Sequence, residues 1–214
     1  MNIEELLRRY ATGERNFSGI KFYEICLHEA DLTGSNFSES DLSGCDFSGT
    51  KLSRTKFNKT NLSHTNLTNV DLGGADLTES LLQGANCYRA DFMGANLMRA
   101  DLSGAYLKET NLMSANLSRA LLYDVDIHGA NLYGVNLRRT ILTEADLIGV
   151  NLSRADLSGA DLMGACLIRA DLSEAIVSAA DLSGANLLDA NLSGVDLTGV
   201  LLRRTIMPDG TIHD

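Results

Sequence analysis

Four histidines, four cysteines and 28 acidic side chains are the groups in this sequence that could move a proton, attack a carbon centre or hold a metal. The histidines, His28, His64, His128 and His213, are far apart in the chain. An imidazole works as a general base only within hydrogen-bond reach of its proton, so distant residues matter only if the fold brings them together. Cys26, Cys45, Cys87 and Cys166 form no CxxC or other close pair, which indicates neither a disulfide framework nor a zinc site and reads as free thiols. Arginine offers a different chemistry, recognition of anions, and Arg99, Arg119 and Arg139 recur at intervals of 20 residues with Arg138 beside them. What any of these groups can do depends on the elements that place them.

The placing element is a five-residue unit. Residues 145–164 read ADLIG VNLSR ADLSG ADLMG, a small residue, Asp or Asn, Leu, then two variable positions. From Phe17 to Leu202 every fifth residue is apolar, 38 positions without a slip, and only Cys87, Ile127 and Val177 are neither Leu nor Phe. Two residues earlier, from Ala30 onward, stands Ala, Ser, Thr, Cys or Val. Both positions must face a confined interior.

A period of five fits neither ordinary element. On an α-helix, five steps of ~100° advance about 140° beyond a full turn, and the leucines would spread around the cylinder. On a flat strand an odd period would send alternate leucines to opposite faces. The chain must bend once per unit. With near-right-angle bends four units close a square coil of 20 residues, and 38 units stack into nine and a half coils, a rod roughly 45 Å long at the ~4.8 Å strand spacing. The period of five alone allows three sides as well as four; the columns Arg99–Arg119–Arg139 and Ile148–Ile168–Leu188 align only on a 20-residue coil. The polar position, Asp in 14 units and Asn in 13, supplies short acceptors for turn N–H groups, and Gly, frequent at the last position, supplies a φ that other residues resist.

The ends differ from the array. In residues 2–11, Ile3, Leu6, Leu7 and Tyr10 share one face of a helix; Asn2 can cap it, Glu4 and Glu5 begin it, Arg8 and Arg9 end it, and Gly13 follows as a stop. A solenoid needs an atypical unit at its open end, so residues 1–15 are expected to be a capping helix and entry, 16–205 the repeat array, and 206–214, where Pro208-Asp209-Gly210 breaks the phase, a C-terminal cap or tail. The N-terminus lacks an apolar signal core and no run approaches a membrane span, from which a cytoplasmic location is expected. The formal net charge of −10 disfavours direct binding of nucleic acid, since phosphate neutralisation needs a basic surface.

The A(D/N)LXX unit resembles the pentapeptide-repeat family over residues 16–205. That resemblance implies an all-β solenoid, a right-handed quadrilateral β-helix with a short N-terminal capping helix. MNIEELLRRYATGERNF at the start and IMPDGTIHD at the finish are similar to the ends of cyanobacterial members, among them a heterocyst regulator, which implies a regulator acting by binding a regulatory protein. Other relatives imply an alternative, a DNA mimic that protects or inhibits a type II topoisomerase.

On a square coil the reactive groups stay apart. His28 and His128 share a column but lie five coils apart, and Cys26 and Cys166 are separated by seven coils, so no enzyme, cofactor or metal site is expected. The repeat also lacks the Gly-rich nonapeptide of calcium-binding β-rolls. The 14 scaffold aspartates divide over the four faces as 4, 3, 4 and 3, and the two variable positions hold 9 acids and 12 bases, which argues against a duplex-like acidic stripe. Recognition of a protein partner is therefore expected at outward exceptions: the column Tyr88, Lys108, His128, Ile148, Ile168 and Leu188; Met93, Met113 and Tyr133 on the next face; the Arg99, Arg119 and Arg139 ladder; and Leu81, Leu121, Ile141 and Leu201, which replace Asp or Asn along one face. Monomer and homodimer are both open, and no membrane partner is expected.

Overall fold

The computed structural model describes residues 1–214. Its first element, α1 (Ile3–Ala11), is capped by the Asn2 side chain, which accepts a 2.8 Å hydrogen bond from the Glu5 amide. Glu4 and Glu5 at its start and Arg8 and Arg9 at its end oppose the helix dipole. Leu6 is fully buried and joins the main core, while Ile3 and Tyr10 pack at its edge. The Tyr10 hydroxyl donates to the Thr33 carbonyl at 3.1 Å, and the Arg9 guanidinium lies 5.8 Å from the Phe17 ring centre. The helix therefore lies over the first coil.

From Asn16 onward the Asp/Asn position forms a parallel bridge to the residue 20 places ahead, Asn16 to Asn36, Lys21 to Asp41 and so along the chain to Asn186 and Ile206, with one gap near the C-terminal end where Ile176 and Asp196 do not pair. Four such bridges fall in each 20 residues, so the coil has four sides. On each side the inward residue's amide reaches up to the next coil, as Leu52 to the Asp71 carbonyl at 2.7 Å, and the bridge residue's amide reaches down, as Asp71 to the Thr50 carbonyl at 3.2 Å.

Between sides the chain turns through two residues. The amide after the turn donates to the inward residue's carbonyl, as Ala95 to Phe92 at 2.9 Å, and the second turn residue has positive φ. That pattern is a type II turn. It holds even where the sequence offers no glycine: 22 other residues adopt φ between 51° and 61° at these corners, including Arg99, Arg119 and Arg139.

The interior is one cluster of 59 buried residues, built from the inward Leu and Phe and the small residues two before them. Phe17, Phe37 and Phe57 stack 5.5–5.6 Å apart on successive coils. Where the small residue is Thr or Ser its buried hydroxyl donates to a carbonyl, as Thr60 to Phe37 at 2.7 Å; Ser35 alone has a buried hydroxyl with no partner.

The two ends are covered unequally. The tail folds back so that β2 (Ile212–His213) pairs antiparallel with β1 (Thr205–Ile206). That hairpin lies to one side, and Leu192, Leu197 and Leu202 stay partly exposed where earlier inward residues are buried. No helix is long and apolar enough to cross a membrane.

Candidate functional surface

Three of the five positions in each unit are committed to the scaffold. The Asp or Asn accepts from the amide two residues on, as Asp171 from Ser173 at 3.0 Å, and Asn side chains also donate to the coil before, as Asn191 to Asp171 at 2.9 Å. These bonds hold several carboxyls below the ordinary aspartate value: for Asp171 the Ser173 amide and then its hydroxyl favour the charged form against a smaller opposing effect of burial. The remaining outward positions, flat-face and corner, form columns at strand spacing.

The groups with reactive chemistry stay apart. No three His, Cys, Asp or Glu side chains come together as a metal site would require. Cys87 is an inward residue, and burial pushes its thiol up to about 12, far from a reactive thiolate. Cys45 is buried at a small-residue position and is raised for the same reason, while Cys26 is exposed.

The column from Tyr88 to Leu188 lies along one face. Stacking covers its members more than their outward direction suggests: Tyr88, His128, Ile148 and Ile168 are half-buried, and of the apolar members only Leu188 is exposed. Arg89 lies 4.8 Å from the Tyr88 ring centre and pairs at 2.8 Å with Glu109. Beside this column the structure adds Tyr106, which stands 58% exposed in a row otherwise including Asn66, Asn86 and Asp126. A shallow hollow of about 500 Å³ opens there between His64, Tyr88, Tyr106, Lys108 and Asp126. The aromatic side chains supply apolar area, and Lys108 and Asp126 supply charge.

On the next face Met93 is exposed, whereas Met113 and Tyr133 are half-buried. Tyr133 is held from its neighbouring coil, its hydroxyl accepting from Arg154 at 3.1 Å.

The arginine ladder is not uniform. Arg99 pairs with Glu79 at 3.2 Å and Arg138 with Asp156 at 3.0 Å. Arg119 and Arg139 have no ion-pair partner, and with Ser118 and Asn136 they line a polar hollow of about 510 Å³. Two residues after each comes the face of Leu81, Leu121, Ile141 and Leu201, all exposed. Tyr123 and Met163, 52% and 44% exposed, stand on that same face and were not among the residues singled out from the sequence. Sorting the variable positions by residue number modulo 20 would have found them, and the same sorting of the Asp/Asn positions would have found Tyr106.

A model described as pentapeptide repeats matches the chain in eight copies, its segments running from residue 25 to 204. Among solved structures, HetL, a pentapeptide repeat protein involved in heterocyst differentiation regulation from the cyanobacterium Nostoc sp. strain PCC 7120, is 36% identical with all of both chains covered, at a TM-score of 0.42. Rfr23 from the cyanobacterium Cyanothece 51142 is 38% identical over 44% of this chain and 64% of its own, at 0.41. QnrB1, a plasmid-mediated fluoroquinolone resistance protein, is 22% identical over 85% of this chain and 88% of its own, at 0.43. Among curated proteins there is no match. With superposition scores this low, the assignment rests on the repeat model and on identity along the whole chain.

Proposed function

Since the chain belongs to the pentapeptide-repeat family, we propose that it is a non-enzymatic interaction scaffold of the cytoplasm, a regulator that works by holding a regulatory protein against one face of a rigid rod. The coil is taken as right-handed, the hand that membership implies. The observation carrying the proposal is the surface around Tyr106. The Asp/Asn position of the unit normally has a scaffold task, yet here a bulky aromatic replaces the Asp or Asn that the ladder uses, and Tyr106 borders a hollow with Tyr88 and Lys108. Exposed aromatics beside a mixed-charge rim are what protein interfaces concentrate. His128, Ile148, Ile168 and Leu188 continue that surface along the rod, and Met93, Met113 and Tyr133 extend it round the corner.

The reading as a DNA mimic of a type II topoisomerase substrate gains nothing from the surface, because the scaffold aspartates are shared among all four faces and an arginine run interrupts one edge. The test is affinity capture from the native cell with wild type beside Tyr106→Asn/Lys108→Asp. Asn is a regular residue of the ladder, so this variant should melt like wild type and lose the co-purifying protein. Capture unchanged in this variant and in Ile148→Lys/Ile168→Lys would retire the face. Dose-dependent inhibition of gyrase supercoiling would favour the topoisomerase reading.

A further inference from the structure

Charges at the corners of a stacked coil meet the corner residues of the coils above and below. Opposite signs should be neighbours, and along this rod they are: Arg89 with Glu109, Arg154 with Glu174, Arg169 with Asp189. Two corner runs break the rule, Arg99–Arg119–Arg139 and Asp124–Glu144. Both lie in the middle of the rod, and they border the same face from opposite edges. Arg119, Arg139, Asp124 and Glu144 all lack an ion-pair partner within the chain.

The face between these edges is the most apolar part of the surface. Of 14 exposed large hydrophobic residues, seven stand on it, and Leu121, Tyr123, Ile141 and Met163 form a continuous strip. The patch thus has a basic edge, an apolar centre and an acidic edge. Each acidic residue follows its arginine by five places, a quarter of a coil, so the two edges stand at the same height along the rod to within about 1.2 Å.

We propose that this face is a self-complementary interface for a second copy of the chain, the two rods lying parallel about a twofold axis that runs along their length. That operation exchanges the edges, so Arg119 and Arg139 of one copy face Asp124 and Glu144 of the other, twice over. It also sets Leu121 against Tyr123 of the second copy. A twofold across the rods would place arginine on arginine, so the charges select the parallel arrangement. A foreign partner would need the same three-band pattern in mirror order, which the chain already supplies. The interface lies on a different face from the surface proposed for a regulatory protein, and either can fail alone.

Sedimentation equilibrium over a wide concentration range tests this, with thermal melting to verify that each variant folds. Wild type should show a reversible monomer–dimer equilibrium that weakens with added salt. Arg119→Glu/Arg139→Glu makes both edges acidic and should raise the dissociation constant roughly tenfold or more. Adding Asp124→Arg/Glu144→Arg to that variant reverses both edges and should restore dimers. Tyr123→Glu/Ile141→Glu should give monomer at every concentration. A wild type that remains monomeric throughout overturns the proposal, and so does a dimer indifferent to the arginine reversal or a folded four-position swap that stays monomeric.

Discussion

Residues 94 and 114 occupy the same corner column on successive coils, and they allow the strain stored at the corners to be measured in both directions. Ser114 holds φ at 57° and Gly94 at 66°, and both amides make 3.0 Å hydrogen bonds to the coil above. An L-residue in the left-handed region costs roughly 1–2 kcal/mol, and glycine in its place costs about 0.5–1 kcal/mol more entropy on folding. The difference predicts that Ser114→Gly stabilises by about 0.5–1 kcal/mol and that Gly94→Ala destabilises by a similar amount. Gly94 is the clean site for the second change, because a Cβ there would meet nothing within 4 Å. At Gly84, where φ is 63°, a Cβ would stand 2.7 Å from His64 Nδ1, so Gly84→Ala should cost more than Gly94→Ala unless the imidazole swings away. Urea denaturation with a shared m-value gives the comparison, and a change of this size should move the melting temperature by about 2–4 °C per kcal/mol. If Gly94→Ala stabilised the rod, or if Ser114→Gly weakened it, the unfolded-chain entropy of glycine would outweigh corner strain and the reasoning would be wrong.

Two further stability changes follow from individual hydrogen bonds. Ser35→Ala removes a fully buried hydroxyl that has no partner and should raise stability, whereas Thr60→Val removes the 2.7 Å bond to the Phe37 carbonyl and should lower it by about 1 kcal/mol; equal effects of the two in urea titration would contradict the assignment of Ser35 as an orphan. Asp171 has a carboxyl held below its ordinary value of 3.8, so its contribution is present above that value and is lost as pH falls through the lower folded value. Asp171→Asn keeps an oxygen to accept from Ser173, so stability near pH 7 should change little while the loss as pH falls below 3.8 becomes shallower; an unaltered acid limb would show that this carboxylate carries no linkage.

The scaffold is legible in the sequence because each coil repeats one local solution. The inward Leu, the small residue before it and the turn acceptor are fixed by geometry that nearest neighbours impose. The number of sides is a weaker signal, since it depends on which units stack, and the i to i+20 bridges decide it. Surface recognition is harder to read for a related reason. Ile148 and Ile168 point outward in the pattern, yet neighbours on adjoining coils half-bury them. Arg99 and Arg138 look like the rest of their ladder, yet Glu79 and Asp156 neutralise them. Tyr106, Tyr123 and Met163 escape notice because single substitutions matter only beside their column neighbours.

Stacking also gives each departure from the pattern a physical meaning. A corner arginine already occupies a backbone region that favours glycine, and placing a second and third above it adds repulsion at strand spacing. Gly159 continues that column one coil beyond Arg139, so the fold itself does not need arginine there. Glycine at Arg119 and Arg139 should therefore leave the rod at least as stable. What those residues supply must lie outside the single chain, and the unpaired acids across the same face are the charges best placed to receive it.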